Sequence, residues 1–225
     1  MNQSVKPPAV LFDIDGTLVD SNYLHVHAWC RAFAEAGIPV ESWRVHRSIG
    51  MDGSRLVESL ASGASSSQRD HATELHSQFY KETTPLLRLL PGARQLLNQV
   101  SSHGLQVVLA TSAPEDELSI LRGLLDVEEL VSAVTSGEDV DVAKPEPAIV
   151  DVALQRAGVD HSRAVFIGDS VWDVKASVRA SVPCIGVRSG GVSREELENA
   201  GASVVFDDAQ GIADHFEASP LAELR

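Results

Sequence analysis

The chain has 225 residues, 44% of them hydrophobic, and a formal net charge of -14. That length suits one large α/β domain or one domain carrying a smaller insertion, and the apolar share excludes global disorder. The acidic balance disfavours nonspecific binding to nucleic acid or an anionic membrane, so an anionic substrate must be captured locally by a few cations, backbone amides or a metal.

The stretch from Met1 to Pro8 is short and polar, with no basic segment leading into an apolar one, so no signal peptide is expected. No apolar run approaches the ~20 residues that span a bilayer. Cytoplasmic residence is the expectation, with a monomer as the default state. Cys30 and Cys184 show no paired spacing, and two buried, reduced thiols are expected.

Short apolar runs alternate with helical patterns along the chain. Ala9-Val10-Leu11-Phe12 predicts a buried strand ending at Asp13. Further strands are predicted from Leu105 to Ala110, Val131 to Val134, Ala164 to Ile167, Pro183 to Val187 and, at an edge, Ser203 to Phe206. Leu96, Leu97 and Val100 share a helical face, as do Leu118, Leu121 and Leu125, and Ile149, Val150, Ala153 and Leu154. This alternation predicts a parallel sheet with helices on both faces. From about Ser21 to Leu90 the rhythm breaks. Leu24, Ala28 and Phe33 suggest a helix ending near Gly37, Ser59 to Ser67 a turn between helices, and His71 to Lys81 another helix. A helical insertion after the first strand is the expectation, with residues 1–20 and 91–225 forming the core and 21–90 the insertion.

Four groups at strand ends carry the chemistry. Asp13 and Asp15 follow the first strand, and residues i and i+2 of extended chain point to one side. Ligands bind at the carboxyl ends of parallel strands. Such a pair suits a carboxylate nucleophile with an acid/base partner, although an acidic turn or helix cap would look the same. Gly16 permits a tight turn and Thr17 adds a hydroxyl there. Thr111-Ser112 follows the second strand; its hydroxyls and amides can hold phosphoryl oxygens, or Ser112 can cap the helix opening at Pro114-Glu115. Lys144, in Ala143-Lys144-Pro145-Glu146-Pro147, offers a charge held by a neighbouring proline, or merely a solvated one. Gly168-Asp169 ends the strand from Ala164, and Asp173 returns one helical turn later to the same face. Carboxylates so placed suit Mg²⁺, and Asp169 also reads as an ordinary cap.

Together these segments resemble the haloacid dehalogenase superfamily. The matching residues are Asp13-Ile14-Asp15-Gly16-Thr17-Leu18-Val19-Asp20-Ser21, Thr111, Lys144-Pro145, and Gly168-Asp169 with Asp173. The likeness runs from Val10 to about Phe206 and extends to the branch of phosphoglycolate phosphatases and β-phosphoglucomutases, with a helical cap placed after the first motif. It implies a Rossmann-like core and a phosphatase acting on a small phosphorylated metabolite. By that resemblance Asp13 attacks phosphorus to form an aspartyl-phosphate, and Asp15 protonates the leaving alcohol and then activates water. Thr111, Ser112 and Lys144 bind the phosphoryl group. Asp13, the Asp15 main-chain carbonyl and Asp169 hold Mg²⁺, with Thr17 and Asp173 in support. An acid at position 15 points to phosphate esters, since the superfamily's dehalogenases, phosphonate hydrolases and transport ATPases lack it. The resemblance also offers a phosphosugar mutase, with Arg47 reaching a second phosphate, and a noncatalytic binding protein is the remaining alternative. Arg44, Arg47 and the loop Ile49-Gly50-Met51-Asp52-Gly53 are candidates for substrate contact, whereas His25 and His27 are expected to be surface or core residues of the cap.

Overall fold

A computed structural model describes residues 6–140 and 144–224, so residues 1–5, 141–143 and 225 lie outside the description. The six strands are β1 (Ala9–Phe12), β2 (Gln106–Ala110), β3 (Val131–Thr135), β4 (Ala164–Gly168), β5 (Cys184–Val187) and β6 (Val204–Phe206). They form one parallel sheet in the order β3-β2-β1-β4-β5-β6. All six fall where the apolar runs place them.

Every residue of β1 is fully buried, as a central strand covered on both faces requires. Val10 and Phe12 join one apolar core, Ala9 and Leu11 the other, so the alternation of the strand feeds two layers. On the first face lie α5 (Ala93–Ser102), α6 (Glu115–Leu125) and α10 (Ala209–Asp214); on the second lie α7 (Ala148–Ala157), α8 (Val171–Arg179) and α9 (Arg194–Ala200). Each fully buried leucine or phenylalanine of these layers contributes about 1.5–3 kcal/mol.

Between β1 and β2 the chain runs through α1 (Asn22–Glu35), α2 (Ser42–Ser48), α3 (Gly53–Leu60) and α4 (Ser66–Thr83). Helix α1 packs along α4, burying Trp29 and Phe33 in the same cluster as Leu75 and Phe79. Ser65 and Gln68 close a capping box at the start of α4, which sharpens the turn expected at Ser59 to Ser67. The chain leaves and re-enters the sheet layer side by side: Asp20 N donates to Arg88 O at 2.9 Å and Leu90 N to Leu18 O at 2.9 Å.

Cys184 is buried but Cys30 is only half-buried, so the expectation of two buried thiols holds for one; both are free. Among the described residues no helix is long and apolar enough to cross a membrane.

Candidate active site

The strand order reverses direction at β1 and β4, where α/β sheets open a crevice at their carboxyl edge. Phe12 pairs with Leu109 on one side and with Ile167 on the other. That register sets Asp13 between the ends of β2 and β4, which carry Thr111 and Asp169. Beyond β1 the chain coils into a turn in which Ile14 O accepts from Thr17, Leu18 and Val19. Ile14 is fully buried, while Asp13 and Asp15 both line one cavity, as alternation predicts. Gly16 sits at φ +75, and a Cβ there would meet Asn22 Nδ2 and Asp169 Oδ2. Only glycine fits that approach.

Lys144 is 1% exposed and joins two parts of the site. Its Nζ donates to Asp13 Oδ1 at 2.7 Å and lies 2.6 Å from Asp173 Oδ1. The second contact is charge to charge, without hydrogen-bond alignment. Asp173 Oδ2 accepts from Ser170 N at 3.0 Å and Ser170 Oγ at 2.6 Å. Ser170 and Asp173 thereby form the capping box of α8, so Ser170, and not Asp169, is the cap. Burial opposes the Lys144 charge, but Asp13 and Asp173 outweigh it and hold the ammonium protonated far above its usual range.

Asp169 is oriented by Thr17 Oγ1 at 3.1 Å to its Oδ1 and by Asn22 Nδ2 at 2.8 Å to its Oδ2. Oxygens of Asp13, Asp169 and Asp173 lie within 4.8 Å of one another. Three buried carboxylates here face one ammonium. Burial, then Asp173, pushes the Asp169 carboxyl up to about 8. Burial also lifts Asp13 well above the usual carboxylate range, against the pull of Lys144. A divalent cation would offset that excess of negative charge, and the all-oxygen donor set fits Mg²⁺.

Thr111 Oγ1 accepts from Ala113 N at 3.1 Å, and both Thr111 and Ser112 line the cavity. The cap of α6 is Pro114, without a side-chain bond, so Ser112 does not serve as the helix cap its position allows. Gly137 lets the two loops meet, since a Cβ there would fall 2.5 Å from Ser112 O.

Asp15 has partners that its sequence neighbourhood does not announce. Ser21 Oγ donates to Asp15 Oδ1 at 2.5 Å, and His25 Nε2 lies 3.5 Å from the same oxygen. Burial raises the Asp15 carboxyl, but His25 and Ser21 outweigh it and hold it below its ordinary value. Burial lowers His25, and Asp15 outweighs that and raises it. The His25 ring stacks on Tyr80 at 3.8 Å, and its Nδ1 lies 3.2 Å from His76 Nε2. His76 in turn stacks on Trp29 at 4.0 Å, and burial drives its pKa well down, leaving it neutral. His25 is thus part of the site, while His27 is exposed as expected.

Glu117, on the first turn of α6, is the other residue that pattern alone does not find. It is 4% exposed and lines the cavity. Burial is the main cause that lifts its pKa from 4.5 to about 7. A raised carboxyl value means stability present at low pH and lost as pH rises through the folded value. From this group the protein should lose on the order of 3 kcal/mol between about pH 4.5 and about pH 7. Urea unfolding of Glu117→Gln should show that slope removed and a more stable protein at about pH 8. An unchanged slope would mean that Glu117 is not held protonated.

The cavity measures about 380 Å³ and lies between the sheet edge and the helical segment. The loop from Ile49 to Gly53 lines it as expected. Arg44 and Arg47 do not line it: Arg44 lies 3.5 Å from Glu41, and Arg47 pairs with Glu196 at 2.5 Å.

The family model of haloacid dehalogenase-like hydrolases matches residues 7–181, more than half of the chain. The chain belongs to that family. A phosphoglycolate phosphatase from Rhodospirillum rubrum is 31% identical to this hydrolase over 218 residues, covering 92% of this chain and 90% of that one. The crystal structure of a hydrolase from Pseudomonas syringae superposes with a TM-score of 0.89 at 33% identity, over 94% of this chain and 98% of that one. A candidate β-phosphoglucomutase from Thermotoga maritima superposes at 0.70 with 27% identity, over 94% of this chain and 99% of that one. The hydrolase therefore falls in the branch that its motifs resemble.

Proposed function

We propose that this phosphatase is Mg²⁺-dependent and hydrolyses a small phosphorylated metabolite through an aspartyl-phosphate on Asp13. The observation that carries the reading is the buried Lys144 ammonium held between Asp13 and Asp173 at the cavity floor. Asp13 Oδ attacks phosphorus and the bond from phosphorus to the leaving oxygen breaks. Lys144 directs the Asp13 carboxylate and offsets its charge, while Thr111 and Ser112 hold phosphoryl oxygens. His25 Nε2 lies 3.5 Å from Asp15 Oδ1 and holds the proton that passes to Asp15, which delivers it to the leaving oxygen. Asp15 then takes a proton from the water that attacks phosphorus and frees Asp13. The carboxylates of Asp13 and Asp169 and the main-chain carbonyl of Asp15 would hold Mg²⁺, which supplies positive charge for the phosphoryl oxygens. Thr17 orients Asp169, and Asp173 steadies Lys144.

Residues 21–90 act as a cap that excludes water and reads the leaving group. The paired crossings at 18–20 and 88–90 support that division, as does the contact of His46 Nε2 with Gly190 O at 3.2 Å, which seats the helices over the sheet edge. Hydrolysis is favoured over a mutase outcome because Arg47, the residue suited to a second phosphate, is engaged by Glu196.

Metal binding has a readout independent of turnover. Mg²⁺ at about a hundredfold over its Kd stabilises by about 2.7 kcal/mol, or roughly 5–10 °C in Tm for a chain of this size. Asp169→Asn should lose most of that shift. A full Mg²⁺ shift in the variant would remove Asp169 from the ligand set.

A further inference from the structure

Beyond the cluster that holds phosphorus, the cavity has a second chemical character. Its lining also includes the acidic side chains of Glu117, Glu138 and Asp52, in addition to Asp15. Among the described residues lining it, Lys144 is the one lysine or arginine, and its ammonium is held by the carboxylates of Asp13 and Asp173. His25 is engaged by Asp15. Asp52 caps α3, accepting from Ser54 N at 2.8 Å. Glu117 has no such engagement. Its carboxyl is buried, faces the cavity and accepts no hydrogen bond among the described residues. The charges acting on it are His25, Asp15, Asp116 and Lys81, and Lys81 is itself paired with Asp116 at 2.6 Å. Glu117 therefore stands close to the acid that serves the leaving oxygen. The lining also includes the apolar side chains of Trp29, Ile49, Met51 and Leu56.

We propose that this site selects a phosphate ester whose leaving group carries hydrogen-bond donors, hydroxyl or ammonium, and no second anion, with Glu117 as the residue that reads it. This rests on the phosphatase reading above. A buried acceptor without a partner is left unsatisfied by an apolar or anionic leaving group and satisfied by a donor. A carboxylate on the leaving group would enter beside Glu117 and Asp15 with no free cation on the described wall to meet it. Above about pH 7, where Glu117 is ionised, discrimination then comes from repulsion of the wrong substrate as well as attraction of the right one. By this account phosphoglycolate, the substrate in the name of the Rhodospirillum relative, is a poor substrate here.

The test is phosphate release at about pH 8, where Glu117 is ionised, by the purified full chain with Mg²⁺ from four esters: phosphoglycolate, glycerol 3-phosphate, phosphoethanolamine and p-nitrophenyl phosphate. At least one donor ester should exceed phosphoglycolate about tenfold or more in kcat/KM. Glycerol 3-phosphate in the lead assigns a hydroxyl donor, and phosphoethanolamine an ammonium. Glu117→Gln should raise the ratio of phosphoglycolate to the preferred ester about tenfold. Glu138→Gln, also in the cavity lining, provides a second variant should the first not fold. Phosphoglycolate as the best substrate of the wild type, or a ratio unmoved by Glu117→Gln in folded protein, overturns the selectivity and leaves the phosphatase reading standing. No release from any ester, p-nitrophenyl phosphate included, overturns the phosphatase reading and the selectivity with it.

Discussion

Asp13→Asn should reduce phosphate release from p-nitrophenyl phosphate by about 10⁴-fold or more, with the fold intact. An amide is a poor nucleophile toward phosphorus, and no neighbouring group can replace it: Asp15 is bound to Ser21 and His25, and Asp173 to Ser170 and Lys144. The same change removes one negative charge from a buried cluster whose carboxyls burial already disfavours in ionised form. Stability should therefore hold or rise, and far-UV circular dichroism with thermal melting would show it. Loss of activity without loss of structure separates a chemical role for Asp13 from a structural one.

Lys144→Met is expected to be the most destabilising single change in the site. The ammonium is 1% exposed and contacts two carboxylates at 2.7 and 2.6 Å. Its removal leaves Asp13 and Asp173 as uncompensated buried anions, and breaking a buried pair from one side costs about 3–5 kcal/mol. For a chain of this length that corresponds to a fall in Tm of roughly 6–20 °C. Methionine keeps the apolar stem, so lost packing is not the cause. Melting in Mg²⁺-free buffer and by urea at neutral pH would measure it. A near-neutral result would mean that the carboxylates take up protons and that Lys144 contributes little to the fold. Activity should fall with it, because the nucleophile loses the donor that directs it.

The sheet was legible because its physics is local. A fully buried parallel strand such as Ala9-Val10-Leu11-Phe12 is a short unbroken apolar run, and its end shows as the first charge, Asp13. The chemistry was legible for the same reason: Asp13, Thr111 and Asp169 each follow such a run. Their convergence depends on strand order, which the pattern does not contain. It needs the β2-β1-β4 adjacency and the register Leu109-Phe12-Ile167.

What the sequence hid is what long-range packing decides. His25 reaches Asp15 only because α1 docks over the sheet edge, and its stacking on Tyr80 only because α4 lies alongside. A signal was present: Asn22, His25 and Trp29 at i, i+3 and i+7 share one helical face, and all three line the cavity. Reading His25 against His27 obscured it. Glu117 stood in an acidic first turn, Glu115-Asp116-Glu117, where helix ends favour carboxylates anyway. Only the cavity wall distinguishes it from its neighbours.

The most direct test of Asp13 as the phosphoryl acceptor is a rapid acid quench during turnover of p-nitrophenyl phosphate, followed by peptide mapping by mass spectrometry. A phosphoryl group on the peptide at Asp13, absent from Asp13→Asn, is the predicted result. Turnover with no covalent phosphoryl at any quench time, or a phosphoryl group on another side chain, would contradict it.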